Sequence, residues 1–167
     1  LVDWNGSDRS PKYSPDGKFI AFTSDGGNPT WGREHFAYVI PANGGNGRQL
    51  PPTPSRYINS ITGWVPNGTA VITSESNRTS RRYFNIPLSE NGVVSRLTPG
   101  KGNYGSLSYN KEGIMAFVHE KTEEPGNVFI SQMNKFNPVR ITDVNPEFST
   151  MEHGKTEVIR WQSKDGM

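Results

Sequence analysis

Short apolar runs recur along the chain, each bounded by glycine, proline, asparagine or aspartate. Phe19-Ile20-Ala21-Phe22, Ala70-Val71-Ile72 and Ile114-Met115-Ala116-Phe117-Val118 are three of them, and each follows a turn. They alternate weakly or not at all, which predicts strands covered on both faces. A polar stretch then leads to a second run: Phe36-Ala37-Tyr38-Val39-Ile40, Tyr83-Phe84-Asn85-Ile86 and Asn127-Val128-Phe129-Ile130. After a turn rich in glycine or asparagine, each unit closes on Arg48-Gln49-Leu50, Arg96-Leu97-Thr98 or Arg140-Ile141-Thr142. No stretch shows apolar residues at helical spacing over a useful length.

The units are copies of one another. Tyr13-Ser14-Pro15-Asp16-Gly17 opens the first, Trp64-Val65-Pro66-Asn67-Gly68 the second and Tyr109-Asn110-Lys111-Glu112-Gly113 a weaker third. Asp-Gly and Asn-Gly suit a tight turn, because glycine takes positive φ without a Cβ penalty. Proline before them fixes φ and lacks a donor, which a turn tolerates and a central strand does not. The spacing, roughly 45–50 residues, is that of β-propeller blades. The predicted fold is all-β: a partial β-propeller of about three to four blades, with four strands each. A β-sandwich with similar turns is the competing architecture. Three copies in one order of turn, strand, loop, strand and closure argue against it.

Composition agrees. Eighteen glycines and 13 prolines punctuate the whole of the 167 residues, as many short strands require. The apolar fraction is low at 32%, but aromatics make up 11% and bury large areas each. The net charge is +2 with the signs mixed, and no basic stripe points to nucleic acid or a membrane surface. With no cysteine, disulfides and thiolate metal sites are excluded, while the compartment is left open. No apolar run has the roughly 18 residues of a membrane span. The triplets at Asn5, Asn67 and Asn77 fit the N-glycosylation pattern, which chance supplies often.

The end of the chain raises a separate expectation. Glu157-Val158-Ile159-Arg160-Trp161-Gln162-Ser163 alternates, predicting a strand, and Lys164-Asp165-Gly166 predicts a hairpin turn. Only Met167 follows. With Leu1 opening in ordinary sequence, this predicts a piece of a longer polypeptide.

The blade repeats, from "YSPDGKFIAFTSDGG" through "FAYVIPANGG" to "RQL", resemble those of TolB and tricorn-type propellers. The stretch "RITDVNPEF…HGKTEVIRWQSKDGM" resembles the junction of prolyl oligopeptidase-family serine peptidases, the acylaminoacyl-peptidase and dipeptidyl-peptidase relatives among them. The matching positions are Glu157, Ile159, Trp161, Ser163, Asp165 and Gly166. The resemblance implies propeller blades over residues 1–152. It implies a linker and the first strand of a missing α/β-hydrolase domain over 153–167. Leu1 to Arg9 would finish an earlier blade. The implied partners are the missing blades, the hydrolase domain and peptide substrates. Family members cleave peptides with a Ser-Asp-His triad whose serine lies in Gly-x-Ser-x-Gly. That motif is absent here. Gly105-Ser106 is the nearest lookalike, preceded by Tyr104 in a strand context, and reads as an ordinary blade serine. No catalytic residue carries over, so the chain reads as a non-catalytic segment that gates access by size. A stand-alone TolB-like scaffold binding a protein partner is the alternative.

His35, His119 and His153 lie in different repeats without metal spacing, and the Asp-Gly turns lack further oxygen ligands for calcium; no cofactor is expected. The loops after the second strand of each unit share one rim. They are Asp25 to His35, Glu75 to Arg81 and His119 to Gly126. They carry the candidate gating residues Trp31, Arg33, Glu34, Arg78, Arg81, Arg82, Glu123 and Glu124. The arginines suit a peptide carboxylate. The Glu123-Glu124 pair is similar to the ammonium-holding pair of dipeptidyl peptidases. There, however, the pair sits in a helical insertion absent here, and a solvated loop is the plainer reading. Trp4, Trp64 and Trp161 read as core, Trp31 as the exposed one.

Overall fold

The computed structural model describes residues 2, 3, 5–27 and 34–164. Twelve strands form three antiparallel sheets, each of four strands consecutive in sequence. The first sheet holds β1 (Asp8–Tyr13), β2 (Phe19–Ser24), β3 (Phe36–Pro41) and β4 (Arg48–Gln49). The second holds β5 (Ile58–Trp64), β6 (Ala70–Asn77), β7 (Ser80–Pro87) and β8 (Ser95–Arg96). The third holds β9 (Asn103–Tyr109), β10 (Ile114–Lys121), β11 (Glu124–Gln132) and β12 (Val139–Arg140). A short 3-10 helix, Pro146–Thr150, follows.

The repeated turn between first and second strands is held each time by a short acid or amide, placed directly before the glycine in the first two sheets and three residues before it in the third. Asp16 Oδ1 accepts from Lys18 N (3.1 Å), Asn67 Oδ1 from Thr69 N (3.1 Å) and Asn110 Oδ1 from Glu112 N (3.1 Å). A short acid or amide bonding two residues ahead preorganises the turn. The glycine of each turn takes positive φ: 72° at Gly17, 73° at Gly68 and 76° at Gly113.

Two strips of core lie between the sheets. Ala21, Val39 and Leu50 of the first meet Ile58, Ile61, Val71 and Ile86 of the second. Ile72, Tyr83 and Leu97 of the second meet Tyr104, Met115 and Phe117 of the third. Each fully buried aliphatic side chain contributes about 1.5–3 kcal/mol, against about 1 kcal/mol for a typical hydrogen bond. Face-to-face stacking therefore dominates cohesion. The sheets are further joined through their first strands, where Trp64 Nε1 donates to Lys12 O at 3.0 Å.

The two outer faces differ. On the first sheet, Ile20, Phe22, Tyr38 and Ile40 are buried, with Val2 packed against them. On the third, Ile114, Ile130, Val139 and Ile141 are exposed. Ile141 corresponds to Leu50 and Leu97, since each donates its N–H to a carbonyl of the third strand of its sheet, at Val128, Ala37 and Tyr83. Ile141 is 55% exposed where Leu50 is 2% and Leu97 3% exposed.

The sequence reading needs three corrections. It named no strand before the aromatic of each repeat, yet β1, β5 and β9 occupy those positions, and Arg9 lies within β1 rather than finishing an earlier sheet. The hairpins are tighter than read: Arg81, Arg82 and Glu124 are strand residues, and only Arg78-Thr79 and Thr122-Glu123 are loop. Glu157 to Ser163 forms no strand; it runs exposed, with Trp161 at 82%, because a strand needs an edge to pair with. Trp161 is accordingly not core. Asp165 and Gly166 lie outside the described residues, as do Trp4, Trp31 and Arg33.

Candidate functional site

The rim that carries the second-to-third strand hairpins is built on three polar latches. Asp25 Oδ1 accepts from Ser7 N at 3.1 Å, and Glu75 Oε1 from Ser55 N at 2.8 Å. His119 Nε2 bonds Lys101 O at 2.8 Å. Each ties the end of a second strand to the segment leading into the first strand of the same sheet. Asp25 and Glu75 are buried, and Asp25 Oδ2 and Glu75 Oε2 have no hydrogen-bond partner. The sequence reading did not single out these three positions for function. A polar residue following the first apolar run of every repeat was the available signal.

Arg82 faces Glu75 across the β6–β7 ladder but forms no ion pair with it. Its guanidinium lies 5.9 Å from the Tyr104 ring centroid on the next sheet, an attraction of about 1–2 kcal/mol where water is excluded. Tyr104 in turn stands 4.4 Å from the His119 ring and donates its hydroxyl to Pro99 O at 2.6 Å. Burial lowers the pKa of Arg82; Tyr104 opposes the shift and Arg96 adds to it. Arg82 is 8% exposed and its Nη1 lacks a partner. Burial raises the Tyr104 hydroxyl, and Arg82 pulls it partly back.

The other expected residues are dispersed. Arg81 is exposed, and its backbone N–H donates to Asn103 Oδ1 at 2.9 Å. Arg78 stands at the hairpin tip with φ 55°. Glu34 pairs with Arg56 at 3.5 Å, both side chains more than half exposed. Glu124 pairs with Lys121 at 2.7 Å, and Glu123 is exposed beside it. The structure therefore joins Arg81 and Arg82 to the segment entering the third sheet. It leaves Glu34, Glu123 and Glu124 in solvent-facing positions.

Ser106 is a bulge residue of β9 with φ 50°, matched by Ser10 of β1 with φ 55°. The shared distortion is architectural. Among the described residues, no group of three or more metal-ligating side chains gathers.

No family model and no curated protein matches the chain. Solved structures do. TolB from Acinetobacter baumannii is 20% identical with TM-score 0.60, covering 85% of this chain and 33% of its own. Puromycin hydrolase is 16% identical with TM-score 0.62, covering 80% of this chain and 21% of its own. Dipeptidyl peptidase 4 from Porphyromonas gingivalis is 16% identical with TM-score 0.63, covering 82% of this chain and 24% of its own.

The three sheets are blades of a β-propeller.

At these identities the likeness is one of fold. The chain spans 33% of that TolB, 21% of puromycin hydrolase and 24% of that dipeptidyl peptidase 4, so its three blades correspond to an arc of such a propeller. The first strands β1, β5 and β9 are the innermost, and the latched hairpins share one rim of the arc.

Proposed function

We propose that this arc is a non-catalytic propeller segment of a serine peptidase, gating the access of peptides to a hydrolase domain by size. The observation that carries the reading is the extended segment after the third blade. It bears the junction pattern Glu157, Ile159, Trp161, Ser163 and projects Ile159 and Trp161, 76% and 82% exposed, into solvent. Such side chains suit a sheet in a neighbouring domain. The likeness in fold to puromycin hydrolase and dipeptidyl peptidase 4 supports it. The open face of the third blade, with Ile114, Ile130, Val139 and Ile141, is where a further blade of the same polypeptide would stack. On the rim, the exposed Arg81, with Arg78 at the tip, would meet an entering peptide's carboxylates, with Arg82 buried behind them. Trp31, Arg33, Glu34, Glu123 and Glu124 would border the entrance.

Likeness to TolB structures supports a second reading, a propeller scaffold that binds a protein on its rim. The coding sequence beyond Met167 separates the two. A downstream Gly-x-Ser-x-Gly, with acyl-peptide hydrolysis by the longer polypeptide and none by this chain, is the expected result. A reading frame that ends without that motif, or turnover by this chain after contamination controls, removes the peptidase reading.

A further inference from the structure

The two interblade grooves on the opposite rim are built alike but filled differently. In the first, Arg48 of β4 reaches across and donates through Nη2 to Leu88 O of the second blade. Arg48 sits opposite Val39 in the β3–β4 ladder. The corresponding position in the second blade is Ser95, opposite Asn85 in the β7–β8 ladder. The counterpart of Leu88 in the third blade is Met133. Each follows its third strand and donates its N–H back to the turn region, Leu88 to Thr69 O and Met133 to Gly113 O. A serine cannot span where an arginine does. Between the second and third blades lies an open cavity of about 400 Å3, lined by Val65, Asn67, Asn85, Glu112, Met133 and Asn134 among others.

Lys111 and Thr69 also line the cavity, and Lys111 is the cation that an incoming charged group would have to displace from Glu112. Asn85 Oδ1 is buried there without a hydrogen-bond partner, a cost of about 1–3 kcal/mol unless a ligand or water supplies a donor. Asn67 Oδ1 is committed to its own turn through Thr69 N and Oγ1. Glu112 adds a carboxylate on the wall, paired with Lys111 only at 3.7 Å between largely exposed side chains.

We propose that this groove binds the guanidinium of an arginine side chain presented by a peptide. It would take the place that Arg48 takes in the first groove. Its planar donors suit several acceptors at once: the Asn85 carboxamide oxygen, the Met133 carbonyl and the Glu112 carboxylate. Val65 and Met133 cover the methylene stem. The groove lies on the rim away from the latched hairpins, and the proposal does not depend on the peptidase reading.

The test is a 15N–1H NMR titration of this chain with Nα-acetyl-arginine N-methylamide. Amide shifts confined to Asn85, Glu112, Met133 and Asn134 are expected, with a dissociation constant on the order of 1 mM. Asn85→Val, which installs the residue found at position 39, should weaken binding about tenfold. Ser95→Arg, at an exposed position, should occupy the groove from within the chain, abolish the titration and raise the melting temperature. The citrulline analogue, which lacks the charge, should bind at least about tenfold more weakly. Methylguanidinium alone should bind more weakly than the peptide-like probe; equal binding would overturn the peptide part of the proposal. No shifts up to the probe's solubility limit, or shifts unchanged in Ser95→Arg, would overturn it entirely.

Discussion

Tyr109 lies with its hydroxyl 2.0 Å from where a Cβ on Gly63 would stand. The hydroxyl belongs to the third blade and the glycine to the second. This mirrors Trp64, whose indole reaches back to Lys12 of the first blade. In both cases the aromatic closing an innermost strand touches the residue just before the corresponding aromatic of the preceding blade. Burial raises the Tyr109 hydroxyl pKa, while its bond to the Trp64 backbone lowers it.

Gly63→Ala should therefore destabilise the chain by about 1–3 kcal/mol, since inserted atoms in a packed site force shifts of that order. Tyr109→Phe in the same background should recover part of the loss, because the nearest ring carbon would then stand 3.2 Å away. Urea denaturation of the single and double variants measures the coupling. Strict additivity would show that the contact is not formed.

Trp64→Phe keeps the ring in the interblade core but removes the donor to Lys12 O. A loss of about 1 kcal/mol is expected, read as a lower urea midpoint with an unchanged slope. An unchanged midpoint would show that this bond does not help hold the first two blades together.

The Glu75 latch predicts a contrast between two substitutions. Glu75→Gln retains an acceptor for Ser55 N and should change stability little. Glu75→Ala strips that donor of its partner at a fully buried position and should cost about 1–3 kcal/mol. Amide exchange at Ser55 gives a local readout: protection should persist in the glutamine variant and fall in the alanine one.

Asp16 sets a pH dependence confined to the first blade. Its carboxyl is held below the ordinary value chiefly by the Ser14 hydroxyl, then by Lys18 N–H and charge. A carboxyl depressed on folding stabilises fully above its unfolded value, near 3.8, and loses that contribution as pH falls through the lower folded value. Asp16→Asn should flatten the acid limb of the stability profile. The second blade carries the uncharged Asn67 at this position and provides a built-in comparator. An acid limb identical in the variant would contradict the assignment.

The sequence revealed the turns and the covered strands because those follow from local rules. Asp16-Gly17 and Asn67-Gly68 need glycine at positive φ, and the runs around Ala21, Ile72 and Phe117 are apolar because each lies in a sheet stacked against a neighbour. The innermost strands were hidden for the opposite reason. Asp8–Tyr13 is largely exposed and contains Pro11, and Asn103–Tyr109 alternates polar residues around a bulge at Ser106. Neither carries an apolar signature, because they are held by ladder bonds and a few aromatics. The tail misled in the converse way. The alternation of Val158, Arg160 and Gln162 states what a strand would look like, but not where its partner is. At the rim, Arg82 was visible as a charge. That it lies buried over Tyr104 depends on how the blades approach. A single repeat contains no trace of that. The Arg48 to Ser95 difference was legible in principle, but only once the repeats were aligned by ladder position.

The backward reach of Trp64 and Tyr109 gives the arc a direction. Each of the three blades is complete in local sequence, and the aromatics closing the second and third innermost strands dock on chain already made. Such a polypeptide can settle vectorially as it leaves the ribosome, each new sheet finding a finished template behind it.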